Sequence, residues 1–121
     1  MKKILVMDDE IDICAFVKTF FEERGFQVFA STTVNDAISI AKTEMPYLVI
    51  LDIKMKKDER NRNGITALKE IKKVSPESKI VMITGVEDND VVQEAKNLGA
   101  HDYITKPLEL EQLLKIVTDE I

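Results

Sequence analysis

Five short apolar segments alternate along the chain with five stretches of helical periodicity, and this alternation restricts the fold more than any other feature. The first, third and fourth segments are apolar almost throughout, as expected of central strands buried on both faces of a sheet. The segments are Ile4-Leu5-Val6-Met7, Phe26-Gln27-Val28-Phe29, Tyr47-Leu48-Val49-Ile50-Leu51, Ile80-Val81-Met82-Ile83 and Asp102-Tyr103-Ile104. The pattern predicts an α/β fold in which a doubly wound, five-stranded parallel sheet carries helices on both faces.

Apolar residues that recur at helical spacing predict a helix after each strand. Thr33 and Asp36 resemble a capping box that opens the second helix, a weaker pattern that runs to about Lys42. Gly25 stands where the first helix would be capped, and Gly99 closes the fourth. The apolar faces of the other four helices consist of Ile13, Phe16, Val17 and Phe20; Ile65, Leu68, Ile71 and Val74; Val91, Val92, Ala95 and Leu98; and Leu110, Leu113, Leu114 and Val117.

Length and composition indicate one folded domain over residues 1–121, because 45% hydrophobic and 32% charged residues are typical of a globular chain with one core. The net charge of -5 and the pI near 4.9 argue against direct binding to nucleic acid or anionic lipid. The single Cys14 excludes an internal disulfide, and we expect it to be a small buried residue on a helix. No apolar run approaches the roughly 18 residues of a membrane span, so a cytoplasmic location is the default expectation.

Polar side chains that could bind a ligand or take part in a reaction follow four of the five strands, at the edge where an open parallel sheet binds its ligands. They are Asp8, Asp9 and Glu10 after the first strand, Asp52 after the third, Thr84 and Gly85 after the fourth, and Thr105, Lys106 and Pro107 after the fifth. Carboxylates that meet in a partly buried site cannot all stay ionised without a cation, and oxygen ligands suit Mg²⁺ or Mn²⁺. The strand ends therefore predict a site for a divalent ion.

Asp52 has two roles open to it at such an edge, metal ligand and covalent phosphoryl acceptor. Thr84 could donate a hydrogen bond to a phosphoryl oxygen, and Lys106 could pair with the phosphoryl charge. Each residue also has a structural interpretation. Asp8 and Asp9 could cap the first helix, Asp52 could end its strand, Thr84 could serve a turn and Lys106 could be a solvated charge. Their coincidence at one edge of the sheet favours the functional interpretation.

Four motifs taken together resemble those of a response regulator receiver domain, the phosphorylated module of two-component signal transduction. They are D-D-E after strand one, D-I-K-M after strand three, T-G after strand four and Y-I-T-K-P around strand five. The resemblance covers essentially the whole chain and implies a flavodoxin-like sheet of order 2-1-3-4-5, with a cis bond between Lys106 and Pro107. It also implies that Asp52 accepts a phosphoryl group from a histidine kinase or a phosphotransfer protein.

The same resemblance assigns roles to the neighbours of the phosphoacceptor. The ligands of Mg²⁺ would be Asp9, the phosphoacceptor and the backbone carbonyl of Lys54, with Asp8 holding the ion mainly through water. Thr84 would bond the phosphoryl group and Lys106 would contact it directly. The domain would be no enzyme in the usual sense, since it would catalyse only its own phosphorylation and dephosphorylation.

A conformational switch is a further implication of the resemblance. Thr84 would move toward the phosphoryl oxygens, and the ring of Tyr103 would turn inward into the vacated space. The surface of helix four, strand five and helix five would change with them and alter the affinity for a downstream protein. Lys54 and Val86 match positions that tune the lifetime of the phosphoryl group in the family.

Three other functions compete with this interpretation. A phosphohydrolase of the haloacid dehalogenase type would also use an aspartyl phosphate and Mg²⁺, but it requires D-x-D after strand one, where this chain has Asp8-Asp9-Glu10. A flavodoxin-like nucleotide binder would place Gly, Ser or Thr there to receive a phosphate. A binding module that needs no phosphorylation is the third alternative, and the complete residue set argues against it.

The polar loop from Lys56 to Asn63 departs from the family pattern. Lys56 replaces the proline that usually follows the methionine, and the loop is several residues longer before Gly64. A solvated insertion at a tolerant loop tip is the simpler interpretation. The alternative is that four basic residues overhang the acidic site and affect phosphodonor docking or phosphoryl lifetime; these are Lys56, Lys57, Arg60 and Arg62.

Overall fold

The computed structural model describes residues 2–53, 63–85 and 89–120. In chain order the elements are β1 (Lys3–Met7), α1 (Ile11–Glu22), β2 (Gln27–Ser31), α2 (Val34–Glu44), β3 (Leu48–Asp52), α3 (Asn63–Val74), β4 (Lys79–Thr84), α4 (Asn89–Asn97), β5 (Asp102–Thr105) and α5 (Leu110–Glu120). The strands pair in parallel in the order β2-β1-β3-β4-β5. The predicted alternation, the doubly wound sheet and its 2-1-3-4-5 order are confirmed.

Alternate residues of the central strands face two separate helical layers, because side chains alternate across a strand. Leu5 and Met7 of β1 pack with α2, α3 and α4, whereas Ile4 and Val6 pack with α1 and α5. Every residue of β3 is buried. The near-continuous apolar runs of the sequence are therefore the consequence of a sheet covered on both sides.

The helical faces were predicted less accurately for α1 and α5 than for the other helices. Phe16 was assigned to the core face of α1 but is 39% exposed, because α1 turns Cys14 and Phe21 toward the sheet instead. Leu110 and Leu114 of α5 are exposed as well. The buried side chains of α5 are Leu113 and Ile116. On both helices the apolar stripe is wider than the surface that the sheet covers.

Strand boundaries also differ from prediction. Phe26 was placed in β2, but its N–H bonds to the carbonyl of Phe21, so it belongs to the end of α1, and β2 continues to Ser31 instead. Gly25 has a φ of 88°, the left-handed conformation of a helix cap, as predicted. Thr33 accepts a hydrogen bond from the Asp36 N–H, as expected of the N-cap of α2.

Strand register brings the candidate residues together. Met7 pairs with Leu51, so Asp8 and Asp52 are the next residues along two adjacent parallel strands. Both continue the alternation that directs Val6 and Ile50 toward the α1 and α5 layer.

Across the part of the chain that the structure describes, no helix is long and apolar enough to cross a bilayer.

Candidate functional site

Backbone hydrogen bonds extend the sheet beyond its last residues and fix the strand ends relative to one another. The Ile53 N–H donates to the Ile83 carbonyl at 2.9 Å, which ties the end of β3 to β4. The Lys106 N–H donates to the Thr84 carbonyl at 2.8 Å, which ties β4 to the segment after β5. These two hydrogen bonds fix the backbone that carries Asp52, Thr84 and Lys106.

Lys106 reaches back across the sheet edge to two carboxylates. Its Nζ lies 3.2 Å from Oδ2 of Asp52 and 3.8 Å from Oδ2 of Asp8. Burial alone would lower the pKa of the Lys106 ammonium, but the attraction of Asp52 and Asp8 outweighs it and raises that pKa. Lys106 is therefore a fixed positive charge in the site, and its interpretation as a merely solvated lysine is wrong. The Lys106–Pro107 bond is cis, as the resemblance implied.

Asp8 is the most enclosed charged group of the site. Its side chain is 0% exposed, its Oδ1 accepts a hydrogen bond from the Glu10 N–H at 2.9 Å, and its Oδ2 has no hydrogen-bond partner within the described residues. Burial raises the pKa of the Asp8 carboxyl, although the bond from Glu10 and the charge of Lys106 oppose that rise. Asp8 does not cap α1, because Glu10 is itself the N-cap residue and lies before the first helical turn. The helix-cap interpretation of Asp8 is wrong.

Three carboxylates meet at this edge of the sheet. Asp8, Asp9 and Asp52 each offer one oxygen, and these oxygens lie within 4.8 Å of one another. Lys106 can neutralise only one of the three carboxylates, and Mg²⁺ is a hard cation that prefers carboxylate oxygens together with water. The orphaned Oδ2 of Asp8 gives such an ion, or one of its waters, a buried acceptor that is otherwise unused. The residues present fit the divalent site that the sequence predicted.

Thr84 and Tyr103 lie on the other face of the sheet. Thr84 is buried at the end of β4, continues the alternation of Met82 and donates its hydroxyl to the Gly85 carbonyl at 3.0 Å. Tyr103 pairs in register with Met82, so it precedes Thr84 by two positions along the neighbouring strand. The Tyr103 ring is 40% exposed, and the Lys96 Nζ of α4 lies 4.6 Å from its centroid. The predicted switch pair therefore shares one face next to α4.

Some predictions lie outside the described residues. These concern the Lys54 carbonyl as a metal ligand, Lys54 and Val86 as tuning positions, and the loop from Lys56 up to residue 62. Asn63, assigned to that loop, is the first residue of α3.

Two residues next to the site were not assigned to it by sequence reasoning. Cys14 is buried as expected, and its thiol donates to the Asp8 carbonyl at 3.3 Å, a contact that links α1 to the end of β1. Burial and the negative charge of Asp8 raise the pKa of that thiol. Gly64 donates its N–H to the Ile53 carbonyl at 3.0 Å, directly behind Asp52. The only sequence signal for Gly64 was a glycine at the end of a long polar loop.

Comparison with known proteins identifies the family. The response regulator receiver domain matches residues 4–118 of the chain. Sporulation initiation phosphotransferase F of Bacillus subtilis (strain 168) is 30% identical over 93% of this chain and 87% of that protein. Chemotaxis protein CheY of the same organism is 32% identical over 95% of this chain and 93% of that protein.

A solved structure adds the same relationship in three dimensions. The crystal structure of NtrX from Brucella abortus superposes with a TM-score of 0.85 at 32% identity, over 96% of this chain and 26% of the NtrX chain. The chain therefore spans about a quarter of that protein. The family match decides against a haloacid dehalogenase-type phosphohydrolase and against a nucleotide-binding flavodoxin relative. With its acid cluster, buried aspartate and lysine at the carboxyl edge of a 2-1-3-4-5 sheet, the chain belongs to the response regulator receiver domains of two-component systems.

Proposed function

We propose that Asp52 accepts a phosphoryl group from a phosphohistidine of a partner kinase or phosphotransfer protein, in a reaction that depends on Mg²⁺. The observation that carries this proposal is the environment of the carboxylate. Asp52 is 2% exposed, lies at the carboxyl end of the fully buried β3, and has the Lys106 ammonium at 3.2 Å and two further carboxylates beside it. A rigid strand end holds the nucleophile in place and so limits the motion that the reaction must freeze out.

The transfer is a displacement at phosphorus. A carboxylate oxygen of Asp52 forms the new P–O bond while the P–N bond to the donor imidazole breaks, and the leaving nitrogen keeps the electron pair. Lys106 would pair with the negative charge of the phosphoryl oxygens, and the Thr84 hydroxyl would donate to one of them. Asp8, Asp9 and Asp52 would hold Mg²⁺, which supplies neutralising charge for the phosphoryl group.

The switch would follow from the two-faced arrangement of the site. Thr84 and Tyr103 are neighbours on the α4 face, so a displacement of Thr84 toward the new phosphoryl group opens space beside the Tyr103 ring. Next to Tyr103, a groove of about 480 Å³ lies between β5 and α5, with Thr105 and Lys115 in its lining. A downstream protein would read this surface, and the net charge of -5 supports a protein rather than nucleic acid as that partner.

The domain would turn over no external substrate beyond its own phosphorylation and dephosphorylation. A receiver that needs no phosphorylation at all is the alternative within the family. The complete set of Asp8, Asp9, Asp52, Thr84 and Lys106 at one sheet edge supports the phosphorylated form of the function.

Incubation with Mg²⁺ and acetyl phosphate tests the proposal, with intact mass as the readout. The wild type should gain one phosphoryl group and lose it slowly, whereas Asp52→Asn should gain none. Asp36→Asn, an exposed acid on α2, is the matched control and should behave like the wild type. Equal labelling of the wild type and Asp52→Asn, or no labelling of either, would contradict the assignment. Sustained release of phosphate from monoesters would contradict the absence of turnover.

A further inference from the structure

We propose that Gly64 is a positioning residue for Asp52: the absence of a side chain there lets the first turn of α3 rest directly on the backbone that carries the phosphoacceptor. A Cβ at residue 64 would lie 2.5 Å from the carbonyl oxygen of Asp52, 2.5 Å from the Cα of Ile53 and 3.0 Å from the carbonyl carbon of Asp52. All three are backbone atoms, which cannot swing aside as a flexible side chain would. The inference rests on the proposed function, since it concerns the placement of that nucleophile.

Hydrogen bonds connect this contact to the rest of the site. The Gly64 N–H donates to the Ile53 carbonyl at 3.0 Å, and the Ile53 N–H donates to the Ile83 carbonyl at 2.9 Å. Ile83 immediately precedes Thr84, the predicted phosphoryl ligand. Residue 64 is thus two backbone hydrogen bonds away from the end of β4, so a shift at Gly64 would be transmitted to both strand ends.

Packing leaves little room for the clash to be relieved elsewhere. Ile53 is 0% exposed and Ile65 is 1% exposed, and both belong to the core cluster beneath α2 and α3. Close-packed interiors resist displacement, so a methyl group at residue 64 would push either α3 outward or the strand end toward the site. The Gly64–Ile53 hydrogen bond opposes the first response. The displacement should therefore fall largely on Asp52.

The test compares Gly64→Ala with Gly25→Ala. Gly25 lies at the far end of α1, has a φ of 88° and has nothing within 4 Å of an added Cβ, so alanine there strains the backbone without touching the site. Stability is measured by urea unfolding, and the initial rate of labelling by acetyl phosphate at saturating Mg²⁺ is measured on folded protein. We expect Gly64→Ala to be roughly ten- to a hundredfold slower than Gly25→Ala, because a misplacement of about 1 Å can cost a reaction that much.

Amide chemical shifts provide a readout that does not depend on phosphorylation. In Gly64→Ala the amides of Ile53 and Thr84 should shift, and in Gly25→Ala they should not. Equal labelling rates in the two variants would overturn the inference. If the wild type itself takes no phosphoryl group, the proposed function fails, and unshifted Ile53 and Thr84 amides would then overturn the role of Gly64 separately.

A milder pair of variants covers the case in which Gly64→Ala does not fold. Ile65→Val removes one buried methylene next to Gly64 in α3, and Ile116→Val does the same on α5, in the cluster on the opposite face of the sheet from Ile53 and Ile65. Ile65→Val should slow labelling at least about twofold relative to Ile116→Val, in the direction expected when a positioning contact is loosened. Equal labelling rates in this pair would also overturn the inference.

Discussion

The two ends of the sheet carry opposite arrangements of polar groups. At the amino edge, the Ser78 hydroxyl donates to the Pro46 carbonyl and lies 2.6 Å from the Ser75 hydroxyl. Because a hydroxyl has a single hydrogen to donate, Ser75 is the donor between the two serines. At the carboxyl edge, Asp8, Asp9 and Asp52 crowd together, and the Oδ2 of Asp8 has no hydrogen-bond partner within the described residues. The buried serines of the first edge are paired, whereas three carboxylates crowd the second edge and Lys106 can neutralise only one of them.

Aromatic and charged side chains reinforce the contrast. The amino edge carries Tyr47, with Lys2 at 4.1 Å and Lys79 at 5.5 Å from its ring centroid, and a salt bridge between Lys3 and Glu44 at 2.9 Å. Because these charges are accessible to solvent, their desolvation penalty is small. Satisfied polar groups stabilise a fold, while a buried carboxylate oxygen without a hydrogen-bond partner among the described residues, in a cluster of acids at the strand ends, is typical of a binding site. The amino edge is therefore expected to serve stability and the carboxyl edge function.

The largest effect should come from Lys106→Met, which removes a cation that lies 3.2 Å from Asp52 and 3.8 Å from Asp8. We expect the free energy of unfolding without Mg²⁺ to fall by about 2 kcal/mol, below the usual cost for a fully buried pair because the lysine is partly exposed. Addition of Mg²⁺ should recover part of the loss, since a divalent ion also neutralises the carboxylates. Urea unfolding with and without Mg²⁺ measures both.

Lys3→Met is the matched control at the amino edge. The Lys3–Glu44 pair is solvent-accessible, so its removal should cost less than about 1 kcal/mol and should not respond to Mg²⁺. A Lys3→Met loss as large as that of Lys106→Met would break the comparison between the two edges.

Ser78→Ala should cost about 1–2 kcal/mol, because it leaves the buried Pro46 carbonyl and the Ser75 hydroxyl without their partner. The loss should be the same with and without Mg²⁺, and the rate of phosphorylation by acetyl phosphate should not change. A slower phosphorylation at unchanged Mg²⁺ affinity would contradict the assignment of the amino edge to stability alone.

The two edges also differ in how much of their structure the sequence predicts. The carboxyl edge was predictable because each candidate side chain directly follows a recognisable apolar strand, so strand parity and the parallel sheet bring Asp8, Asp52 and Lys106 together. The Ser78–Pro46 hydrogen bond spans 32 residues of sequence and joins residue types that occur in any loop. No local pattern distinguishes those two from solvated turn residues.

Helix faces show a second limit. Periodicity identified apolar stripes on α1 and α5 but could not determine which part of each stripe the sheet covers, so the exposure of Phe16, Leu110 and Leu114 was not predicted. Coverage depends on the position and rotation of the helix over its strands, which are tertiary quantities. Gly64 shows the same limit, since its meaning is the distance to Asp52 rather than its own conformation.

Asp8→Asn should have a smaller effect, and of opposite sign. Without Mg²⁺ the variant should be more stable than the wild type by about 1 kcal/mol near neutral pH, because a buried carboxylate in an acidic cluster becomes a neutral amide. The stabilisation of the wild type by Mg²⁺ should largely disappear in the variant. Urea unfolding across a Mg²⁺ titration measures both changes, and a variant less stable than the wild type without Mg²⁺ would contradict the charge imbalance inferred for the carboxyl edge.

The stability difference between the wild type and Asp8→Asn should depend on pH with a defined sign. Burial raises the pKa of Asp8 above its ordinary 3.8, so the folded protein retains a proton that the unfolded chain has released. The contribution of Asp8 favours folding below pH 3.8 and is lost as the pH rises through the raised pKa. The stability advantage of Asp8→Asn should therefore grow from about pH 4 toward neutrality. An advantage that does not change with pH would show that Asp8 ionises equally in both states.

The smallest effect concerns the position of the Tyr103 ring near the carboxyl edge. Lys96→Gln removes the cation beside Tyr103, an interaction worth about 0.5–1 kcal/mol at an exposed site, and should raise the population of the inward ring about two- to fivefold. Fluorotyrosine labelling reports this directly, because Tyr47 and Tyr103 are the only tyrosines and lie at opposite edges of the sheet. The Tyr103 resonance should move toward the chemical shift that it has in protein phosphorylated on Asp52, while the Tyr47 resonance should not move. Lys79→Gln is the mirror control and should move Tyr47 alone; movement of both resonances in either variant would mean that the two edges are not independent.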